Sequence, residues 1–210
     1  MSTFQTPQPI AVTVDVPCGE VTVIASDRLD SVVDVRPADA ANKADVRAAQ
    51  EVQVDFVDGA LKVETPKSWK PFSGKPTISV TVEVPTGSAL DATLAMGRLV
   101  SVGEFGQCDL EVSAGDIVVE NPGASVSAKT AKGNIRVDEA TRGVLRLETS
   151  MGDLEVGVRR GSAARLEADA MGGNVQNLTE PVDPQGNSET VRIVARTLYG
   201  SVIVGQGASV

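Results

Sequence analysis

Residues 145–156 read LRLETSMGDLEV: an alternating run, a Gly-Asp pair, and a second alternating run. Alternation with period two marks half-buried strands, and Gly followed by Asp marks a sharp turn between them. The unit recurs upstream as 110-LEVSAGDIVV-119 and 128-AKTAKGNIRV-137, and downstream as 168-ADAMGGNVQN-177 and 195-ARTLYGSVIV-204. A shorter version, 14-VDVPCGEVTV-23, stands near the start.

The copies align on Gly19, Gly97, Gly115, Gly133, Gly152, Gly173 and Gly200, with spacings of 18, 18, 19, 21 and 27 residues from Gly97 onward. Seven, five and three residues before each glycine the chain is apolar or small, as in Cys108, Leu110, Val112 and Leu145, Leu147, Thr149. Thr appears in this set only next to the turn, at Thr130, Thr149 and Thr197. Four residues before each glycine stand Asp15, Thr93, Glu111, Lys129, Glu148, Asp169 and Arg196, all polar. Apolar residues return after the turn, as in Ile117, Val119 and Leu154, Val156. A repeat of this length with two strands per copy predicts a β-solenoid, here over residues 89–204. One coil cannot bury its own stripe. Each Val or Leu contributes about 1.5–3 kcal/mol only when a neighbouring coil covers it. Stacking also sets Glu111, Lys129 and Glu148 beside one another with alternating sign, a pattern that fixes register.

Residues 1–88 alternate too, in 31-SVVDVRP-37, 51-EVQVDFV-57, 60-ALKVETP-66 and 77-TISVTVEVP-85. They are expected to form an antiparallel β cap over one solenoid end, with one short helix in 38-ADAANKADVRAAQ-50. The coil Val191 to Val204 is then the last rung and exposes a strand edge, so self-association through solenoid ends is expected. Residues 205–210 read as a frayed tail.

Composition narrows the function. The chain has 210 residues, no histidine and a net charge of −9. A chain without a cationic face is a poor match for nucleic acid. No run approaches the ~18 apolar residues of a membrane helix, so no stable membrane insertion is expected. The N-terminus, MSTFQTPQPIAVTV, carries no basic start followed by an apolar stretch, which reads as cytoplasmic. Cys18 and Cys108 read as reduced, buried thiols.

The strand order, with arches ending in GDI-V, GNI-V and GDL-V after an opening CGEVTVIASDRLDSVVDVRP, KADVRAAQEVQVDF, ALKVETPK and TISVTVEVPTGS, resembles the DUF4097 family of bacterial adhesin-like β-strand repeat proteins. That resemblance implies a right-handed β-helix-like solenoid, and a place for some relatives in envelope-stress and antimicrobial-peptide responses. It implies no catalytic residues and no cofactor.

The expected function is therefore a non-enzymatic interaction or scaffold protein presenting a rigid solenoid surface. The sharpest candidate contact is 67-KSWKPFSGK-75, which holds the only Trp and three lysines in an acidic chain. Lys67, Trp69, Lys70, Phe72 and Lys75 are its candidate anchors for a protein partner, the other reading being that Trp69 and Phe72 fold back as a lid over the sheet or the solenoid end. The column Asp116, Asn134, Asp153 and Asn174 could line up oxygens for Ca²⁺, but Gly-Asx is first of all turn chemistry, and no metal site is assigned. One alternative is a polysaccharide-acting β-helix enzyme using Asp91, Asp109 or Glu111, although Tyr199 and Phe105 are the only aromatics available as sugar platforms in the solenoid. Another is an envelope-stress sensor that binds cationic peptides on its acidic face.

Overall fold

Alternation becomes strand throughout the computed structural model, which describes residues 1–66, 76–179 and 189–207. In chain order the elements are β1 (Ser2–Gln5), β2 (Ala11–Ser26), β3 (Asp30–Pro37), α1 (Lys43–Glu51), β4 (Gln53–Val57), β5 (Ala60–Glu64), β6 (Ile78–Pro85), β7 (Ala89–Val102) and β8 (Cys108–Ala114). They continue as β9 (Ile117–Glu120), β10 (Val126–Lys132), β11 (Ile135–Ala140), β12 (Gly143–Met151), β13 (Leu154–Val158), β14 (Ala163–Ala170), β15 (Val175–Asn177), β16 (Thr190–Tyr199) and β17 (Val202–Gln206).

The repeats stack as two parallel ladders that meet at a glycine corner. One ladder holds the strand before each glycine, in the spatial order β5, β2, β7, β8, β10, β12, β16, β14. The other holds the strand after it, in the order β6, β2, β7, β9, β11, β13, β17, β15. β2 and β7 are long enough to serve both ladders. The fold is all-β and solenoid-like, with Val, Leu, Ile and Ala of both ladders forming one continuous core.

Backbone contact between rungs explains the corner. Gly133 has φ +147°, and a Cβ built on it would lie 2.0 Å from the carbonyl oxygen of Gly115 on the next rung. Only glycine fits both the conformation and the space. The Thr beside the corner uses the same carbonyl column: Thr130 donates to Gly115 O at 3.1 Å, Thr149 to Gly133 O at 3.0 Å and Thr197 to Gly152 O at 3.1 Å. A hydroxyl is tolerated in the buried stripe there because its hydrogen bond is made.

At the N-terminal end the expected antiparallel pairing is present in β1–β3, β3–β6 and β4–β5, the last joined through Asp58-Gly59, both at positive φ. Within the same segment, however, β2 pairs in parallel with β5, β6 and β7. Residues 11–26 thus form a solenoid coil rather than a strand of the cap, because Val12, Val14, Val16, Val21 and Val23 carry the same buried stripe as later repeats. The helix starts at Lys43 instead of near residue 38, since Asn42 caps it by accepting from Ala44 N at 2.9 Å. Phe4 of β1 stacks on Phe56 of β4, with ring centroids 5.4 Å apart, and closes this end across the two ladders.

At the other end, rung order departs from chain order. β16 and β17 sit between the β12–β13 rung and the β14–β15 rung. The coil Val191 to Val204, expected as the exposed edge, is interior, and Ile193 is 0% exposed. β14 and β15 form the last rung instead. One outward column fits this order, although chain order would have set Arg146 against Glu167 in the next column. The column that fits runs Glu111, Lys129, Glu148, Arg196, Asp169, alternating in sign at every step. Stacking in chain order would set Glu148 against Asp169, two like charges. The tail also departs from expectation: Gly205 and Gln206 pair with Gly157 and Val158, and Gly207 N donates to Val158 O at 2.9 Å, so strand order persists past residue 204.

Candidate functional site

The sequence candidates divide into three groups. The loop of Lys67, Trp69, Lys70, Phe72 and Lys75 lies outside the described residues. The Asx column beside the glycine corner is occupied by the backbone. Asp116 Oδ1 accepts from Asn134 N at 2.8 Å, Asn134 Oδ1 from Asp153 N at 2.9 Å, and Asp153 Oδ1 from Ser201 N at 2.7 Å. These oxygens tie each rung to the next. Among the described residues no group of three or more His, Cys, Asp or Glu is placed to hold a metal ion.

The third group is the outward carboxylates. Asp91 and Asp109 are neighbours on adjacent rungs, with Glu111 beside Thr93, and all three are exposed. Phe105 is only 4% exposed and is spent in the core, so it offers no platform to a sugar. Cys108 is buried, and desolvation, followed by the Asp109 charge, pushes its thiol up to about 12. Cys18 is only half-buried, because it occupies the corner position just before Gly19 rather than the inward stripe. Both thiols are free.

A surface that the repeat pattern did not announce lies at the β14–β15 end. Six of the ten large exposed hydrophobics among the described residues are Met151, Met171, Val175, Leu178, Leu198 and Tyr199. Met171 is 77% exposed, Tyr199 67% and Leu178 64%. Met151 and Tyr199 are register partners on neighbouring rungs of the corner. The Tyr199 ring lies over Gly172, where an added Cβ would come within 3.2 Å of it. On β14, Ala164, Leu166, Ala168 and Ala170 are core residues left half-covered, because β16 packs on one side only. A concentration of apolar side chains on one end of the surface marks a contact site, the other four of the ten being Met1, Leu29, Val57 and Met96. Chain order hid it, since it suggested that the 163–177 coil is interior.

A second concavity, of about 260 Å³, lies on the outer face of the other ladder and is lined by Arg98, Asp116, Val118, Asn134, Arg136 and Glu155. Arg136 there is bound to Asp138 at 2.9 Å, which raises its guanidinium further above its ordinary value. The groove is polar and of mixed sign. No helix among the described residues is long and apolar enough to cross a membrane.

The family DUF2807, described as "Putative auto-transporter adhesin, head GIN domain", matches residues 20–197. The adhesin-like class implied by the motif order therefore holds, and the family that the match shows is DUF2807. Among solved structures, a "putative cell adhesion protein" from Clostridium sporogenes is similar with a TM-score of 0.54 at 10% identity, covering 98% of this chain and 98% of that one. A "putative adhesin" from Bacteroides fragilis is similar with a TM-score of 0.53 at 13% identity, covering 97% of this chain and 95% of that one. At such identities the likeness is one of fold. No curated protein matches.

Proposed function

The chain belongs to the DUF2807 family of adhesin-like domains, and from that membership we propose that it is a non-enzymatic binding module whose contact surface is the β14–β15 end of the solenoid with its adjoining corner. The observation that carries this reading is the gathering of Met151, Met171, Val175, Leu178, Leu198 and Tyr199 at one end of the molecule. The solenoid supplies rigidity: neighbouring rungs are tied by backbone pairing, and those from β8–β9 through β16–β17 also by the Thr–carbonyl and Asx–amide bonds. A rigid frame keeps exposed side chains in place, so binding loses little conformational entropy. The partner is a protein, met through an apolar centre with a polar rim. The module works where the family description points, outside the cell, rather than in the cytoplasm suggested by the N-terminus. Fractionation with external protease distinguishes the two.

The test is retention of the chain on a panel of immobilised surface proteins and glycans. Leu198→Ser with Tyr199→Ser is expected to weaken retention at least about tenfold while leaving the fold intact, since both side chains are exposed. Equal retention by the variant overturns the surface assignment. Incubation with the same glycans is expected to release no product. Release that Glu111→Gln abolishes would establish the polysaccharide-acting enzyme instead.

A further inference from the structure

The geometry points to a second copy of this chain as the occupant of the open rung, joined by antiparallel pairing of β14 with β14 of the other copy, centred on Leu166. The inference rests on the reading of the β14–β15 end as a contact surface and names what fills it.

Three observations favour a second copy. First, among the described residues β14 pairs only with β16, so its outer edge leaves backbone donors and acceptors unpaired. An edge of that kind invites another strand. Second, the strand is self-complementary. A two-fold axis at Leu166 sets Arg165 opposite Glu167 of the other copy, twice, with Leu166 against Leu166 and Ala164 against Ala168 inside. Cross-strand neighbours of opposite charge stabilise such a pair. Shifting the axis by two residues to Ala168 would oppose Glu167 to Asp169, two like charges, and is disfavoured. Third, Arg165 needs a counter-charge. Its register neighbour on β16 is Arg192, also a cation, and Arg192 already holds Glu167 at 2.9 Å. Arg165 has no ion pair among the described residues. The second copy brings its Glu167 beside Arg165, a carboxylate then shared between Arg165 and the Arg192 that already holds it.

Association of this kind stops at two. At the N-terminal end Phe4 and Phe56 pack on each other at the margin of the core, and β1 and β4, like β14, pair on one side only among the described residues, but those strands do not share the self-complementary charge pattern of β14. An isologous contact uses the β14 edge of both copies at once, so this contact does not itself propagate.

The experiment is sedimentation equilibrium on the full chain across roughly micromolar to millimolar concentration, with hydrogen exchange of β14 amides on the same samples. A mass rising from that of one 21.7 kDa chain to that of two, with β14 protection growing in parallel, is expected. Arg165→Glu alone and Glu167→Arg alone should each weaken the dimer roughly tenfold or more, and the double variant should restore it to within a few-fold. Both positions are exposed, so circular dichroism should match the wild type. A monomer at every concentration, growth beyond two copies, or a dimer indifferent to the charge exchange overturns the inference. Failure here is distinguishable from failure of the binding reading. A monomer that still loses retention through Leu198 and Tyr199 refutes only the second copy. A dimer that binds nothing on the panel refutes only the external partner.

Discussion

Rung order can be tested by truncating one side chain on each of the two last coils. Ile193 on β16 is fully buried between Leu145 on one rung and Leu166 on the other. Ile193→Ala removes three carbons worth about 2.4 kcal/mol of transfer, and the closed cavity brings the cost to about 3.5 kcal/mol. Leu166→Ala removes as many carbons from a side chain already half in water, on a rung with nothing packed outside it. Its cost should be about 1 kcal/mol. Equilibrium urea unfolding at a concentration where the chain is monomeric should show both variants with the wild-type slope and midpoints separated by about 1 M. In thermal unfolding the gap should be about 5–9 °C for a chain of this length. At concentrations where the dimer forms, Leu166 becomes covered and the gap should narrow. A cost for Leu166→Ala equal to or above that of Ile193→Ala in the monomer would refute the inserted coil and restore chain order.

The corner makes a sharper demand. Gly133→Ala should cost about 3 kcal/mol or more in urea unfolding, because its Cβ would meet backbone atoms of Gly115 at 2.0 and 2.5 Å. Gly59→Ala, with φ +77° but nothing within 4 Å, should cost only about 1 kcal/mol, and equal costs would refute the packing account. Cys108 has a second signature. Its folded thiol, raised from 9.0 to about 12, binds a proton that the unfolded thiol releases, so its contribution holds below pH 9 and is lost as pH rises toward 12. Between pH 8 and pH 10 the wild type should lose about 1.4 kcal/mol more than Cys108→Ala, and parallel profiles would refute the shift. For residues 67–75, Trp69→Ala is expected to weaken capture of a protein partner with the thermal midpoint unchanged. A fall of several degrees would make Trp69 a lid instead.

Much of the molecule was legible because burial and turn chemistry act over a few residues. The stripe of Leu145, Leu147, Leu154 and Val156 is buried as the alternation requires. Thr130, Thr149 and Thr197 stood out in the sequence as polar residues in an apolar column, and each proves to be bonded to a glycine carbonyl of the neighbouring rung. The Asx residues were legible as turn formers but not as links between rungs, since that role needs the partner amide to be placed first. Residues 11–26 carried the repeat signature in Gly19 and its valines, yet the antiparallel strands after them made the whole segment look like a cap. The parallel pairing of β2 with β7 joins residues far apart in the chain, such as Val12 with Leu90, and local pattern does not encode it.

Rung order is the deeper omission. Every coil offers a stripe and a glycine in the same register, so the repeat pattern alone does not say which coil stacks on which. On the outside the difference is small: Arg196 between Glu148 and Asp169 gives two attractive steps where chain order gives one of each sign, partly offset by the Arg146–Glu167 step that chain order would have made. Each step is worth only about 0.2–1 kcal/mol. The connections permit the choice, since the spacings of 21 and 27 residues around Gly173 exceed the 18 or 19 of the regular coils. A crossing that skips a rung and a return that fills it both need extra chain. The insertion then decides where the exposed surface lies. It covers the Val- and Ile-rich β16 with β14, whose inward residues are mostly alanine, so the strand left at the edge is the one that loses least by being uncovered and the one whose Arg165 and Glu167 can answer a second copy.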